Sequence, residues 1–145
     1  MTRWYWRKIG GTLMEEFCAV PRSKTCGTRI LDAVIIKGGP TIRLRRHDAS
    51  LIKGKDIIVV QTKAERLGMY LMGQVFFSAQ LMKKFSPRSI ESVALVAQDD
   101  AVLRPLLERY KGMKVVVLPA RRRRAVCQAS SGLHRTARAA AKASW

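Results

Sequence analysis

At 145 residues and 48% hydrophobic composition, the chain has the length of one domain and enough apolar side chains for a sizeable core. Its 28 Lys and Arg against 10 Asp and Glu give a formal net charge of +18 and a pI near 11.0, which disfavours basic partners and points to polyanions. No apolar run approaches the roughly 18 residues of a membrane span, so a partner bilayer is not expected.

The charge is not a tail effect. The segment 120–145 holds seven basic residues and no acids, leaving 21 basic against 10 acidic residues, a net +11, before it. A spread of Lys and Arg of this kind suits nucleic acid, because phosphate contacts supply most sequence-independent affinity. The N-terminus MTRWYWRK lacks the apolar stretch of a signal peptide, so a cytoplasmic location is expected. Cys18, Cys26 and Cys127 are odd in number and without C-x-x-C spacing, and read as plain thiols.

In chain order, Trp6, Ile9, Leu13 and Phe17 recur at helical spacing and predict a helix from Trp4 to Cys18, best defined over Thr12–Cys18. Arg29 to Ile36 is a β-branched run closed by the turn signal Lys37-Gly38-Gly39-Pro40, and predicts a strand with Asp32 in its middle. Thr41 to Arg45 alternates weakly and suggests a short strand paired back on it, followed by loop to Lys55. Asp56 to Lys63 is apolar on both faces over its first residues, as a central strand of a covered sheet is.

Leu67 to Phe85 predicts a long buried helix, with Gly68 and Gly73 letting it approach the sheet closely. A strand at Glu91–Ala97, a short helix from near Leu103 to Tyr110 and a strand at Met113–Leu118 complete the pattern. Beyond Pro119 the composition turns to Ala, Arg and Ser, which predicts a flexible basic tail over 120–145. The expected architecture is an α/β domain over residues 1–119, a central mixed β-sheet flanked by helices.

Three polar residues interrupt the apolar strands: Asp32, Gln61 and Lys63. Burying such groups is costly without a purpose, and Gln61 and Lys63 share one face of their strand. An acid within one strand, then a polar residue, any residue and a lysine at the end of the next strand, followed by a long helix, resembles the PD-(D/E)XK (restriction-endonuclease-like) nuclease superfamily. Asp32 matches its first acid and Lys63 its lysine. Gln61 departs from the pattern by standing in place of the second acid. Glu16, with Glu15 as the alternative, resembles the extra acid that many members carry on their first helix.

The resemblance implies an αβββαβ core and metal-dependent phosphodiester hydrolysis, with DNA as substrate. Asp32, Gln61 and Glu16 would hold Mg²⁺ or Mn²⁺, and Lys63 would orient the attacking water. Gln74 and Gln80 would approach as glutamines do in some relatives, and a homodimer or larger assembly is common among them. The basic residues Arg29, Arg43, Arg45 and Arg46, with Arg121, Arg122, Arg123 and Arg124 in the tail, are candidates for phosphate contacts. The cluster Trp4, Tyr5 and Trp6 would stack on bases or pack in the core. Loss of the second acid leaves a non-catalytic nucleic-acid-binding protein on the same fold as the alternative.

Overall fold

The computed structural model describes residues 1–119; the expected tail, including Arg121, Arg122, Arg123 and Arg124, lies outside the described residues. Helix α1 (Thr2–Ile9) leads into strand β1 (Thr12–Val20) and then β2 (Arg29–Ile36). A two-residue strand β3 (Arg43–Leu44) and a 3₁₀ turn at Ala49–Ile52 precede β4 (Asp56–Arg66). Helix α2 (Met69–Met82), strand β5 (Ser89–Gln98), helix α3 (Leu103–Glu108) and strand β6 (Met113–Val117) follow.

The six strands form one mixed sheet in the order β3-β1-β2-β4-β5-β6. Strand β2 runs antiparallel to both its neighbours, whereas β4, β5 and β6 are parallel to one another. The parallel pairs require crossovers, and α2 and α3 supply them. Both pack on one face of the sheet, where Leu71, Val75 and Leu107 meet Ala94, Val96 and Val115. Helix α1 covers the other face, where Tyr5 packs with Leu13, Ala33, Ile35, Ile58 and Val60. The α/β class and the mixed, helix-flanked sheet expected from the sequence are present.

Strand β4 is covered on both sides. Ile57, Ile58, Val59 and Val60 are 0–3% exposed, and each such burial contributes about 1.5–3 kcal/mol relative to exposure. Ile57 and Val59 face α2; Ile58 and Val60 face α1. Two polar ties hold α2 down at its middle: Gln61 Nε2 donates to Ser78 Oγ at 2.8 Å, and Ser92 Oγ donates to the Val75 carbonyl at 2.7 Å. None of the described helices is long and apolar enough to cross a membrane.

Several expectations are corrected. The helix expected through Cys18 ends at Ile9, and Thr12–Val20 is strand β1, so Glu15 and Glu16 stand on a strand. The break is built by Gly10 and Gly11, at φ 71° and 87°. A Cβ on Gly11 would fall 2.3 Å from the Ile36 carbonyl oxygen, so only glycine lets the chain pass there. The helical spacing of Leu13 and Phe17 was misleading: the kink in β1 puts the two on opposite faces of the sheet. Glu16 has φ 52°, and Met14 and Phe17 fall on the same face of the sheet.

Strand β3 pairs in parallel with β1 through Leu13 and Met14 rather than with β2. Gly68 and Gly73 make no close approach to the sheet, since a Cβ on either would meet nothing within 4 Å. Gly68 is the residue that caps α2, and Gly73 opens outward.

Candidate functional site

The irregularity at Glu16 has a counterpart on the neighbouring strand. Glu15 pairs with Ala33 and Phe17 with Leu31, so Glu16 and Asp32 are the facing residues between two regular pairs. On β2, Leu31 and Val34 both join the core beneath α2, while Ala33 joins the core beneath α1. The alternation of both strands therefore slips at one level. Its result is a cleft of about 790 Å³ on the α1 side, into which Glu15, Glu16 and Asp32 open together, with Arg3, Arg43 and Arg45 around them.

The three carboxylates are not equivalent. Glu15 accepts from Arg3 Nε at 2.9 Å and Nη2 at 3.1 Å, and Arg43 forms a second ion pair with it. The hydrogen-bonded Arg3 guanidinium, helped by the charge of Arg43, holds the Glu15 carboxyl below the usual range against the opposing effect of burial. Glu15 is thus a structural counter-ion. Glu16 is exposed and, among the described residues, makes no ion pair. Its left-handed backbone costs about 1–3 kcal/mol in a non-glycine residue, and such strain concentrates at functional sites.

Asp32 is half-buried and fixed at one oxygen. Its Oδ2 accepts from the Thr62 backbone N–H at 2.6 Å and from the Thr62 hydroxyl at 2.8 Å, and it makes no ion pair among the described residues. Thr62 is the middle residue of Gln61-Thr62-Lys63. The sequence pattern gave it no role, yet it positions the acid.

Gln61 and Lys63 do not join this cleft. Alternation along β4 sends Thr62 to the α1 side and Gln61 and Lys63 to the α2 side, as the bond from Gln61 to Ser78 requires. The expected convergence of Asp32, Gln61 and Lys63 in one pocket is therefore corrected. Gln61 is 4% exposed and lines a second cleft, between the start of β2 and α2. Lys63 reaches Glu65 at 3.4 Å, with both side chains substantially exposed.

The two clefts adjoin, since Ile30 lines both. Gln74 and Gln80 line the second cleft, as does Arg29. Arg46 is exposed beside Arg45. Trp4 and Trp6 pack against the α1-side core, and Trp6 Nε1 donates to the Gly11 carbonyl at 2.7 Å, which accounts for them as core and turn residues.

Among the described residues, no three His, Cys, Asp or Glu side chains come together to ligate a metal. The pair Asp32 and Glu16 nevertheless fits magnesium, which is usually held by one or two carboxylates, several waters and the substrate phosphate. Comparison with known proteins adds nothing to this geometry: no family model, no curated protein and no solved structure matches the chain.

Proposed function

We propose that this chain binds DNA across the arginine-bordered cleft and hydrolyses its phosphodiester bonds there with a divalent cation, Mg²⁺ or Mn²⁺. The observation that carries the reading is the meeting of Asp32 and Glu16, two carboxylates without an ion pair among the described residues, in a cleft surrounded by Arg3, Arg43 and Arg45. An acidic floor attracts a cation, and a basic rim attracts the phosphodiester around it.

Asp32 would offer Oδ1 to the cation, its Oδ2 being occupied by Thr62, and Glu16 would offer its exposed carboxylate. A bound magnesium ion supplies charge stabilisation on phosphorus and a more acidic water. The protein holds the phosphate: Arg45 is exposed at the rim, and Arg43 is shared with Glu15. Water adds to phosphorus, the bond to one sugar oxygen breaks, and that oxygen takes up a proton. The resemblance to the PD-(D/E)XK superfamily supports this reaction at Asp32 alone, because Gln61 and Lys63 lie on the other face of the sheet. The free, exposed thiols of Cys18 and Cys26 suit a reducing cytoplasm.

One observation favours a second reading, binding without cleavage. Gln61 brings no charge, and its amide is tied to Ser78 in the neighbouring cleft. The deciding experiment incubates the full chain with plasmid DNA and with RNA, in Mg²⁺, Mn²⁺ or chelator, beside Asp32→Ala and Glu16→Gln. Metal-dependent cutting of DNA that both substitutions abolish, with binding retained, supports hydrolysis. Binding with no cutting under any metal establishes the second reading.

A further inference from the structure

We propose that the second cleft is a nucleobase pocket, which takes an unstacked base of a single-stranded segment whose backbone crosses the adjoining acidic cleft. The inference rests on the proposed reading only in taking nucleic acid as the ligand; it needs no cleavage.

The outward face of α2 is unlike that of an ordinary amphipathic helix. Tyr70 and Phe77 are 75% and 64% exposed, and Ile30 across the cleft is 57% exposed. Residues seven apart lie on one helix face, about 10 Å apart along the axis. Midway between the two rings stands Gly73, where a Cβ would meet nothing within 4 Å. Packing does not require glycine there, and glycine costs a helix interior about 1 kcal/mol relative to alanine. The residue leaves the helix surface open between two exposed aromatic side chains. At about 3.4 Å per stacked base, a slot of that length takes one or two bases.

The polar groups of the cleft match a base edge rather than an apolar partner. Gln61 and Gln74 line it, Arg29 is its cation, and none of its lining residues is acidic. Gln61 is almost fully buried and fixed in orientation by its Nε2 bond to Ser78. Its Oε1 accepts no hydrogen bond among the described residues, yet no buried side-chain atom is left without a partner, so this oxygen opens to the cleft. A preorganised amide lining the same cleft as two exposed aromatic side chains suits the edge of a base that stacks on them. A duplex hides those faces and edges, so the ligand is a single strand or a frayed end. The cleft measures about 890 Å³ and touches the acidic cleft at Ile30, close enough for one strand to occupy both.

The test measures binding of a fluorescent oligothymidylate and of a blunt duplex to the full chain in chelator, where nothing is cut. The variants are Tyr70→Ala, Phe77→Ala and Gly73→Leu, the last of which should raise helix stability while filling the slot. Single-strand affinity should fall about tenfold or more in each, from lost stacking or blocked access, with duplex affinity within twofold of the parent. Single-strand binding unchanged in all three variants overturns the pocket. It is equally overturned if sedimentation shows that Tyr70 and Phe77 hold two copies together and single-strand affinity tracks only the dimer. Absence of any nucleic-acid binding by the parent chain instead sinks the proposed function itself. Metal-dependent cutting with no preference for single strands leaves that function standing without the pocket.

Discussion

Asp32 and Thr62 are joined by a two-pronged contact in which one carboxylate oxygen takes both the backbone N–H, at 2.6 Å, and the side-chain hydroxyl, at 2.8 Å. Thr62→Val keeps the shape and the backbone donor but deletes the hydroxyl. Loss of one hydrogen bond to a charged acceptor should cost about 1.5–3 kcal/mol. Denaturant titration of the variant should show a lower midpoint at unchanged slope. Metal-dependent cleavage should fall with it, because the acid is then held by one donor instead of two.

Glu16 carries the only non-glycine left-handed backbone in the described strands, and relieving it should stabilise the fold. Glu16→Gly should raise unfolding free energy by about 1 kcal/mol, because glycine adopts φ 52° without the side-chain penalty. The same change removes a proposed cation ligand, so cleavage should disappear as stability rises. Parallel measurement of the denaturation midpoint and of plasmid nicking checks the pair; a variant both more stable and fully active refutes the role given to Glu16.

Acid should loosen the protein through two carboxylates. The Arg88 guanidinium, then the Ser89 hydroxyl, holds Asp56 far below the usual carboxylate range, and Arg3 and Arg43 hold Glu15 down. A depressed folded-state value means stability is fully present above the unfolded values of about 3.9 and 4.3 and is lost as pH falls through the folded ones. The melting temperature should therefore be flat from pH 7 to about 5 and decline below about 4. In Glu15→Gln the decline should be shallower; an identical acid limb would show that the Arg3 contact is not populated in solution.

Affinity for DNA should fall steeply with salt, as expected from a chain of net charge +18. Arg45→Ala and Arg46→Ala should each reduce the slope of log affinity against log salt by about one, and weaken all sequences alike. Arg3→Ala should do less to the slope, since that guanidinium already faces Glu15. Fluorescence anisotropy between 50 and 200 mM salt, the range over which phosphate contacts are screened most visibly, gives all three numbers.

Strand β4 was legible in the sequence because a strand covered on both faces has to be apolar on both, and Ile57 to Val60 are. Helix α2 was legible from its length and its terminal turn signals. Strand β1 was not. Leu13 and Phe17 are spaced as on one helix face, yet the kink at Glu16 puts them on opposite faces of the sheet, and the pairing of β1 with β2 is a long-range contact that no local pattern announces. The site was half legible for the same reason. Asp32 stood out as an acid within an apolar strand, but the slipped alternation that turns it toward Thr62 and away from Gln61 and Lys63 is a property of paired strands. Helix α2 was expected to be buried because its sequence is apolar on most of its circumference, yet the structure leaves Met69, Tyr70 and Phe77 exposed.

The two buried ties of α2, from Gln61 to Ser78 and from Ser92 to the Val75 carbonyl, fall within one turn of each other. Together they act as a keyed joint: the helix can neither roll about its axis nor slide along the sheet without stranding a polar atom in the interior. The hydrophobic effect alone would favour a roll that hides Tyr70 and Phe77, and the joint forbids it. The sticky side of the helix is thus kept outward by bonds made on its buried side.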